Sequence, residues 1–262
     1  MMAEQIRSDR HGPVVVLTIE NPARRNAFTP EMRRALTAAL IALNHDDDVR
    51  AIIITGAGDH FCAGADISRI NTGDLEPSFV QAGENLKDVH HLARAMILSP
   101  KPIVAAVEGD AFGAGLSMVA ASDVAIVSRA ARFGTAFSKI GIVPDMGLLH
   151  SLPNRIGVAR TRRLVFTRTM LPGEEAYRIG LADELTEPGG ALALALERAR
   201  DLAQAAPLSI ALTKAALATA PMSLDDALRF ELMHLPITLA SHDSKEGLAA
   251  FREKRTPIFE GR

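Results

Sequence analysis

The sequence contains few of the residues that build disulfide frameworks, aromatic stacking platforms or membrane spans. Among its 262 residues there is one cysteine, Cys62, with one tyrosine and no tryptophan. A lone cysteine excludes an intramolecular disulfide and a cysteine-based metal site. No apolar run approaches the ~20 residues that cross a bilayer, and the first residues lack the pattern of a signal peptide. We therefore expect a cytoplasmic protein with no membrane partner.

The charges are balanced, and no cluster of basic residues is present. The formal net charge is −2, hydrophobic residues make up 48% and charged residues 23%, which is ordinary for a globular protein. Without a basic patch there is no electrostatic basis for binding nucleic acid, and we expect no such partner. The histidines lack the spacing of metal ligands, so we expect no metal; those considered are His150, His234 and His242.

Strand and helix patterns alternate along most of the chain. The β-branched run at 12–21 and the apolar run at 49–58 predict strands. Thr29 followed by Pro30 predicts the start of a helix, with a capping hydroxyl and a proline in the first turn. From about residue 157 the pattern is mainly helical. The sequence therefore predicts an α/β domain with parallel strands, followed by a helical tail.

Two loops rich in small residues follow predicted strands. In the first, Ala63, Gly64 and Ala65 keep side-chain bulk away, so the amide of Ala65 is able to point at a ligand. In the second, Gly113 and Ala114 lie where a strand ends and a helix begins, and helix N-termini carry positive potential. Two such amides would form an oxyanion hole, worth ~3–4 kcal/mol per donor. Glycine after a strand is more often only a turn, and that alternative stays open.

Further sequence motifs lie along the chain beyond these two loops. In sequence order they are VVVLTIENPARRNAF, FCAGADI, PIVAAVEGDAFGAGLSMVAASDVAI, ARFGTAFSKIGIVPDMGLLHSLP and GLAAFREKRTPIF. In this combination they resemble the enoyl-CoA hydratase/isomerase (crotonase) superfamily, and the resemblance runs through most of the chain. The motifs are specific for the superfamily and leave the individual reaction open.

The resemblance implies a crotonase-like α/β fold, a spiral of β-β-α turns with a C-terminal helical trimerisation region. Residues 1–200 would form the spiral core that carries the acyl-CoA site, and residues 201–262 the helical oligomerisation region. It further implies a homotrimer, or a hexamer built as a dimer of trimers. The substrate would be an acyl-CoA thioester, with coenzyme A as part of the substrate and no other cofactor.

The resemblance also implies roles for individual residues. The oxyanion amides would be those of Ala65 and Ala114, where Ala114 replaces the usual glycine of the family. The carbonyls of Ala63 and Ala65 would meet the adenine, and Arg25 would lie near the phosphates. Phe251 and Lys254 would reach a coenzyme A bound in a neighbouring subunit. The other residues assigned to substrate binding are Asp66, Ile67, Gly113, Ser117 and Phe137, of which Asp66 is also expected to brace its loop as a helix N-cap.

The two glutamates of the family's hydratases are missing. Their positions correspond here to Ser117 and Phe137, and neither is a carboxylate. Adding water requires groups that activate the water and deliver a proton. The sequence therefore disfavours ordinary hydration, although a hydratase with atypical residues stays an alternative. Ser117 is also compatible with a packing role between helix and sheet.

Asp145 is the remaining candidate for an acid or base. It lies among aliphatic neighbours, where desolvation would raise its pKa toward neutrality. In related isomerases an aspartate at this place lies in the acyl pocket, and one carboxylate suffices to move a double bond. The alternative is a purely structural role, in which Asp145 caps a helix beginning at Met146. We expect an isomerase in which Asp145 shuttles the proton.

Three other functions stay open at this point. Aryl-CoA dehalogenases or hydrolases of the superfamily use an aspartate at the position of Asp145 and a histidine at that of His90, both present here. Their aromatic partner at the position of Phe137 is a tryptophan, which this chain lacks. A non-catalytic acyl-CoA-binding protein and an oligomer without a ligand are the remaining alternatives.

Overall fold

The computed structural model describes residues 5–66, 79–219 and 221–262. Its strands form a main sheet and a smaller second sheet. The strands in chain order are β1 (Gln5–His11), β2 (Val14–Glu20), β3 (Ala51–Gly56), β4 (Ile103–Val107), β5 (Asp110–Phe112), β6 (Val124–Ser128), β7 (Arg132–Gly134), β8 (Leu171–Pro172) and β9 (Glu184–Thr186). The helices in chain order are α1 (Pro30–Asn44), α2 (Phe79–Ile97), α3 (Ala114–Ala121), α4 (Leu148–Ile156), α5 (Val158–Thr167), α6 (Gly173–Arg178), α7 (Ala191–Ala203), α8 (Pro207–Leu217), α9 (Leu224–Ala240) and α10 (His242–Glu253).

The main sheet is parallel apart from its first strand. Its order is β1-β2-β3-β4-β6-β9, and β1 pairs with β2 in antiparallel register. The inner strands β3 and β4 are continuous apolar runs because both faces of the sheet are covered. The predicted strands at 12–21 and 49–58 are confirmed as β2 and β3. Strand β1 was not predicted, since its polar sequence QIRSDRH carries no apolar alternation.

The second sheet, β5-β7-β8, runs beside the first and gives the fold its spiral. The chain passes from β4 to β5 and into α3, and then from β6 to β7 and into α4. Each of these two turns thus places one strand in each sheet before a helix follows. The predicted spiral of β-β-α turns is confirmed. The ends of β5 and β7 lie side by side, with Phe112 opposite Gly134.

The predicted helix start at Thr29 is also confirmed. The Thr29 hydroxyl accepts a hydrogen bond from the amide of Met32 at 3.2 Å, and Pro30 occupies the first turn of α1. The inner face of this helix buries Met32, Leu36 and Leu40 in the main core. Residues of α1 beside this buried stripe therefore lie close to the interior, which matters for the site below.

Helix α7 closes the other face of the main sheet. Ala191, Ala195 and Ala199 pack there against Val14 and Ile53. The helix continues to Ala203, so it crosses the predicted division between residues 200 and 201. The division into a core and an oligomerisation region stays a prediction.

The last helices expose much apolar surface in the single chain. Helix α9 has no buried residue. Its exposed apolar side chains are Leu224, Leu228, Leu232, Met233, Leu235, Ile237 and Leu239. Trimerisation stays a prediction. Within the ranges that the structure describes, no helix combines the length and apolarity needed to cross a membrane.

Candidate active site

Two backbone bridges hold the first predicted loop in place. Phe28 pairs with Ala65 as in a parallel sheet: the Phe28 amide donates to the Gly64 carbonyl at 2.8 Å, and the Asp66 amide donates to the Phe28 carbonyl at 3.2 Å. Three residues earlier, Cys62 pairs in the same way with Ala111 of β5, the strand that leads into the second loop. The two loops are therefore anchored to one another by main-chain hydrogen bonds.

This pairing determines where the amide of Ala65 points. Successive residues of an extended chain direct their amides to opposite sides. Because the Gly64 carbonyl and the Asp66 amide bond to Phe28, the intervening amide of Ala65 faces away from Phe28. Its nitrogen has no hydrogen-bond acceptor among the described residues. Ala65 also lines the cavity described below.

The second loop leads into α3 and leaves another amide without an acceptor. Gly113 is the N-cap of α3, and its carbonyl accepts the first helical bond from the Ser117 amide at 2.9 Å. The amide of Ala114 at the first helical position has no acceptor in the described chain. Free amides at a helix N-terminus attract negative charge. The geometry thus gives Ala65 and Ala114 the features of oxyanion donors.

Glycines allow the two loops to approach closely. A Cβ placed on Gly113 would lie 3.8 Å from the Cα of Gly64 and 4.0 Å from Cζ of Phe137. A Cβ on Gly64 would lie 3.1 Å from the carbonyl oxygen of Phe112, and φ of Gly64 is 101°. The space at Gly113 would admit a Cβ, but both glycines have a positive φ, 50° at Gly113, which residues with a side chain rarely adopt.

A cavity of about 370 Å³ opens where the two loops meet. It brings together most of the residues that the sequence assigned to the site. Those that line it are Ala63, Ala65, Asp66, Gly113, Ala114, Phe137 and Asp145. Ile67 lies outside the described residues. Arg25, Ser117, Phe251 and Lys254 do not belong to the cavity wall of the single chain.

Asp145 enters this cavity from the loop before α4. Burial raises the pKa of its carboxyl group, opposed by the positive charges of Arg33 and, to a lesser extent, His90. Asp145 is not the cap of the following helix. Helix α4 begins at Leu148 with Gly147 as its N-cap, and Asp145 contributes only its main-chain carbonyl, which accepts from the Leu148 amide at 3.0 Å. The alternative prediction, that Asp145 caps a helix beginning at Met146, is therefore wrong.

Two arginines of the cavity wall were missed by the sequence analysis. Arg24 donates from Nη1 to both carboxylate oxygens of Asp66, at 2.8 and 2.9 Å. The Asp66 side chain is only 4% exposed, so this ion pair braces the first loop. Arg33 comes from α1 and lines the wall beside Asp145. In the sequence, Arg33 is recognisable only as an arginine next to a buried position of α1. That observation alone is weak evidence for a residue of the site.

Arg25, which the resemblance places near phosphates, contacts a buried carboxylate instead of the cavity. Its Nη1 lies 3.2 Å from Oδ2 of Asp110, whose side chain is fully buried. Arg132 also contacts Asp110, with Nε 2.8 Å from Oδ1. The Arg25 side chain is still 62% exposed, so it remains accessible to a ligand outside the cavity. Its assignment to the phosphates stays a prediction.

Ser117 and Phe137 are the residues that the resemblance places where hydratases of the family have glutamates. Ser117 is fully buried, and its hydroxyl donates to the Gly113 carbonyl at 3.1 Å. Its side chain thus supports the turn of α3 that carries Ala114. Phe137 contributes an apolar ring to the cavity wall. Neither residue supplies an acid or a base.

The remaining sequence candidates lie away from the cavity. Phe251 is 84% exposed near the end of α10, and Lys254 is the left-handed C-cap of that helix. Their contact with coenzyme A in a neighbouring subunit stays a prediction. Burial raises the pKa of the Cys62 thiol to about 12, so Cys62 serves as a small core residue. No cluster of three metal-ligating side chains occurs in the ranges described.

The fold and cavity together define a class of protein. The β-β-α spiral is that of the crotonase-like enzymes, and close solved structures share it over nearly the whole chain. An enoyl-CoA hydratase from Polaromonas sp. JS666 superposes with a TM-score of 0.92 at 33% sequence identity, covering 97% of this chain and 99% of that one.

The sequence comparisons identify the family. Residues 9–262 match the enoyl-CoA hydratase/isomerase family. The 1,2-epoxyphenylacetyl-CoA isomerase of Escherichia coli K12 is 34% identical, with all of both chains covered. The carnitinyl-CoA dehydratase of Salmonella arizonae is 35% identical, covering 99% of this chain and all of that one. The chain belongs to the enoyl-CoA hydratase/isomerase family, whose members act on acyl-CoA thioesters, and the resemblance seen in the sequence is confirmed.

Proposed function

We propose that this enzyme isomerises the double bond of an unsaturated acyl-CoA, with Asp145 as the proton shuttle. One observation carries the proposal: the unpartnered amides of Ala65 and Ala114 and the carboxylate of Asp145 belong to the same cavity. Asp66, the other carboxylate of the described cavity wall, is already paired with Arg24. Asp145 is therefore the group available to accept a proton.

The reaction needs only these groups. The Asp145 carboxylate removes a proton from C2 of a 3-enoyl thioester, and the electron pair moves onto the thioester oxygen to give a dienolate. The amides of Ala65 and Ala114 donate hydrogen bonds to that oxygen as its charge develops. The protonated Asp145 then returns the proton to C4, and the double bond forms between C2 and C3. Atoms and electrons balance without a cofactor, metal or water.

The raised pKa of Asp145 favours this role. A general base works best when its pKa approaches the working pH, since proton removal then costs less. Burial supplies that shift here. Hydration would need an additional group to hold and activate water, and the positions of the family's glutamates hold the buried Ser117 and the apolar Phe137. The residues of this cavity thus favour isomerisation over hydration.

The relatives are compatible with this choice but do not decide it. The E. coli relative is named as an isomerase and the Salmonella relative as a dehydratase, at nearly equal identity. The proposal therefore rests on the side chains of this chain. It also retains two properties implied by the sequence, a cytoplasmic location and assembly into a trimer or a hexamer of two trimers.

The decisive experiment follows the conversion of 3-enoyl-CoA to 2-enoyl-CoA by the absorbance of the conjugated thioester. Asp145→Asn should lower kcat/KM by about 10²–10⁴-fold, as for loss of a general base. Asp88→Asn is the matched control, because Asp88 pairs with Arg34 and does not line the cavity. Equal rates in Asp145→Asn and the wild type would refute the role of Asp145.

Dehalogenation of an aryl-CoA remains a second candidate because of His90. When it is charged, His90 lowers the pKa of Asp145, although less than Arg33 does. His90 itself is exposed and does not line the cavity. Asp145 would then attack the ring carbon, halide would leave, and water would hydrolyse the aryl ester. Release of halide from halobenzoyl-CoA, lost in His90→Gln, would favour this function; absence of halide together with enoyl isomerisation excludes it.

A further inference from the structure

Two consecutive arginines of α1 have different surroundings. Arg34 lies on the exposed side, where it pairs with Asp88 at 3.0 Å and with Glu31 at 3.2 Å. Arg33 turns inward and lines the active-site cavity. Its Nε is buried and has no hydrogen-bond partner among the described residues. A buried donor without an acceptor costs free energy, which an acceptor on a bound ligand would restore.

Arg33 and Asp145 influence one another across the cavity. The charge of Arg33 lowers the pKa of Asp145, and the charge of Asp145 raises that of Arg33, each against the effect of burial. The interaction acts through space, without a hydrogen bond between the two side chains. Both residues line the same cavity, which is the space available to the acyl group.

The formal charges of the described cavity wall are balanced when both aspartates are ionised. They belong to two arginines and two aspartates: Arg24, Arg33, Asp66 and Asp145. Arg24 and Asp66 neutralise one another in direct contact. The charge of Arg33 is balanced at longer range by Asp88, which lies outside the cavity wall, and by Asp145 within it. Asp145 must remain able to ionise for proton transfer.

This balance discriminates between acyl groups. A substrate carboxylate beside Arg33 would add negative charge near Asp145, raise its pKa further and reduce the fraction of Asp145 that is ionised and able to accept a proton. A quaternary ammonium group would be repelled by Arg33. An uncharged oxygen, as in a hydroxyl, carbonyl or cyclic ether, accepts a hydrogen bond from the guanidinium and leaves the charge balance unchanged. A hydrocarbon leaves the Nε donor unsatisfied.

From this arrangement we infer that the enzyme prefers acyl-CoA thioesters whose acyl group carries an uncharged oxygen, to which Arg33 donates a hydrogen bond. Arg33 thereby determines specificity, while Asp145 performs the chemistry. The inference rests on the proposed function, because it places the acyl group in the cavity of Asp145.

The test compares substrates that differ only in the end of the acyl chain. Thioesters of 3-enoyl-CoA type are prepared in several chain lengths, each with a methyl, hydroxyl, carboxylate or trimethylammonium terminus. The value of interest is the ratio of kcat/KM for the hydroxyl and methyl forms within one variant. This ratio cancels any general effect of Arg33 on the acidity of Asp145.

For the wild type we expect the hydroxyl form to be favoured about tenfold at one or more lengths, as for a hydrogen bond to a charged group. Arg33→Met should bring the ratio to about unity, and Arg33→Lys should keep part of the preference because it retains a charged donor. Arg34→Met is the matched control and should keep the wild-type ratio, since Arg34 does not line the cavity.

Three results would overturn the inference. They are a wild-type ratio near unity at every length, an unchanged ratio in Arg33→Met, and a preference for the carboxylate or trimethylammonium form. Circular dichroism and the affinity for free coenzyme A establish that the variants fold; if Arg33→Met does not, Arg33→Lys supplies the comparison.

Binding of saturated thioesters separates this inference from the proposed function. Calorimetry with unreactive hydroxylated and plain acyl-CoA measures the same preference without turnover. If no enoyl thioester is isomerised but the hydroxylated ligand binds more tightly through Arg33, the isomerase proposal fails and the inference stands. If enoyl thioesters are isomerised but the two ligands bind equally well, the isomerase proposal stands and the inference fails.

Discussion

Gly64 and Gly113 face each other so closely that a Cβ on Gly113 would lie 3.8 Å from the Cα of Gly64. Gly113 has φ 50° and ψ −111°, a conformation that residues with a side chain rarely adopt. Each glycine directly precedes one of the proposed oxyanion donors, Ala65 and Ala114. The contact of the two glycines therefore couples the conformation of the two loops to the positions of the proposed oxyanion donors.

Replacing Gly113 should damage both stability and catalysis. In Gly113→Ala the backbone must either hold a strained conformation, at a cost of about 1–3 kcal/mol, or rotate and move the Ala114 amide. We expect a lower melting temperature and a fall in kcat/KM for 3-enoyl-CoA of about 10²–10³-fold, as for loss of one oxyanion donor.

Gly83 provides the matched control for this substitution. It lies within α2, and a Cβ there would meet nothing within 4 Å. Gly83→Ala should leave activity unchanged and stabilise the helix by up to about 1 kcal/mol. If Gly113→Ala behaved like Gly83→Ala in both assays, the second loop would be an ordinary turn.

The acid limb of the pH–rate profile should report the ionisation of Asp145. Burial raises its pKa, and the carboxylate is the active form. As pH falls, kcat/KM should therefore decline at a higher pH than an ordinary aspartate, near 3.9, would give. Arg33→Met removes the positive charge that lowers this pKa, so the limb should move to still higher pH.

Arg33→Lys and Asp88→Asn serve as controls for that shift. Lysine keeps a positive charge near Asp145, and Asp88 acts on Arg33 without acting on Asp145. Both variants should keep the limb close to that of the wild type. If the acid limb of the pH–rate profile of Arg33→Met stays at the wild-type pH, or moves to lower pH, the electrostatic link between Arg33 and Asp145 is contradicted.

Asp145 should lower the stability of the folded protein at neutral pH. Because its pKa is raised on folding, the native state holds a proton that the unfolded chain has released. The free energy of unfolding therefore falls as pH rises from the unfolded pKa, about 3.9, through the raised native pKa. At pH values above the native pKa, Asp145 is ionised in both states. The cost of burying its charge then lowers the free energy of unfolding by its full amount.

Asp145→Asn should remove this cost together with the proposed proton transfer. At neutral pH the variant should unfold at a higher urea concentration than the wild type, and the difference should shrink toward acid pH, where Asp145 is protonated in both states. Urea titrations at several pH values measure this. A variant less stable at neutral pH would show that the carboxylate contributes a structural interaction.

The parts of the site that are local in sequence could be predicted from it. Ala65 and Ala114 follow glycines at strand ends, and Asp145 lies among aliphatic residues, so each carries its signal in a few neighbouring positions. The helix start at Thr29 is equally local, since the cap and Pro30 are adjacent. These features need no knowledge of which elements meet in space.

Features set by packing between distant elements could not be predicted in this way. The inward direction of Arg33 depends on how α1 lies against the loop of Asp145, and an arginine on an amphipathic helix is usually exposed. Asp110 pairs with Arg132 because they are opposite one another in β5 and β7. Arg24 and Arg25 are neighbours, yet a left-handed residue, Arg25 at φ 51°, sends them to different partners.

Arg25 should affect the binding of coenzyme A more than the chemistry if its predicted contact with the phosphates exists. Arg25→Met should then raise KM for an acyl-CoA several-fold, as for loss of one exposed charge pair, and leave KM for the matching acyl-pantetheine unchanged. Arg132→Met also removes a partner of Asp110 and controls for damage to that cluster. Equal effects on both substrates, or in both variants, would make Arg25 structural.

The exposed apolar side of α9 should be buried between subunits. Leu232 is 77% exposed and Leu228 51% exposed in the single chain, and a row of such side chains is unfavourable in water. Light scattering at micromolar concentration should therefore give the mass of a trimer or a hexamer. Leu232→Glu should dissociate the assembly while the circular dichroism spectrum stays native.

If Phe251 and Lys254 reach coenzyme A across this assembly, the dissociated variant should also bind acyl-CoA less tightly. A monomeric wild type would refute the trimer and, with it, the contribution of these two residues.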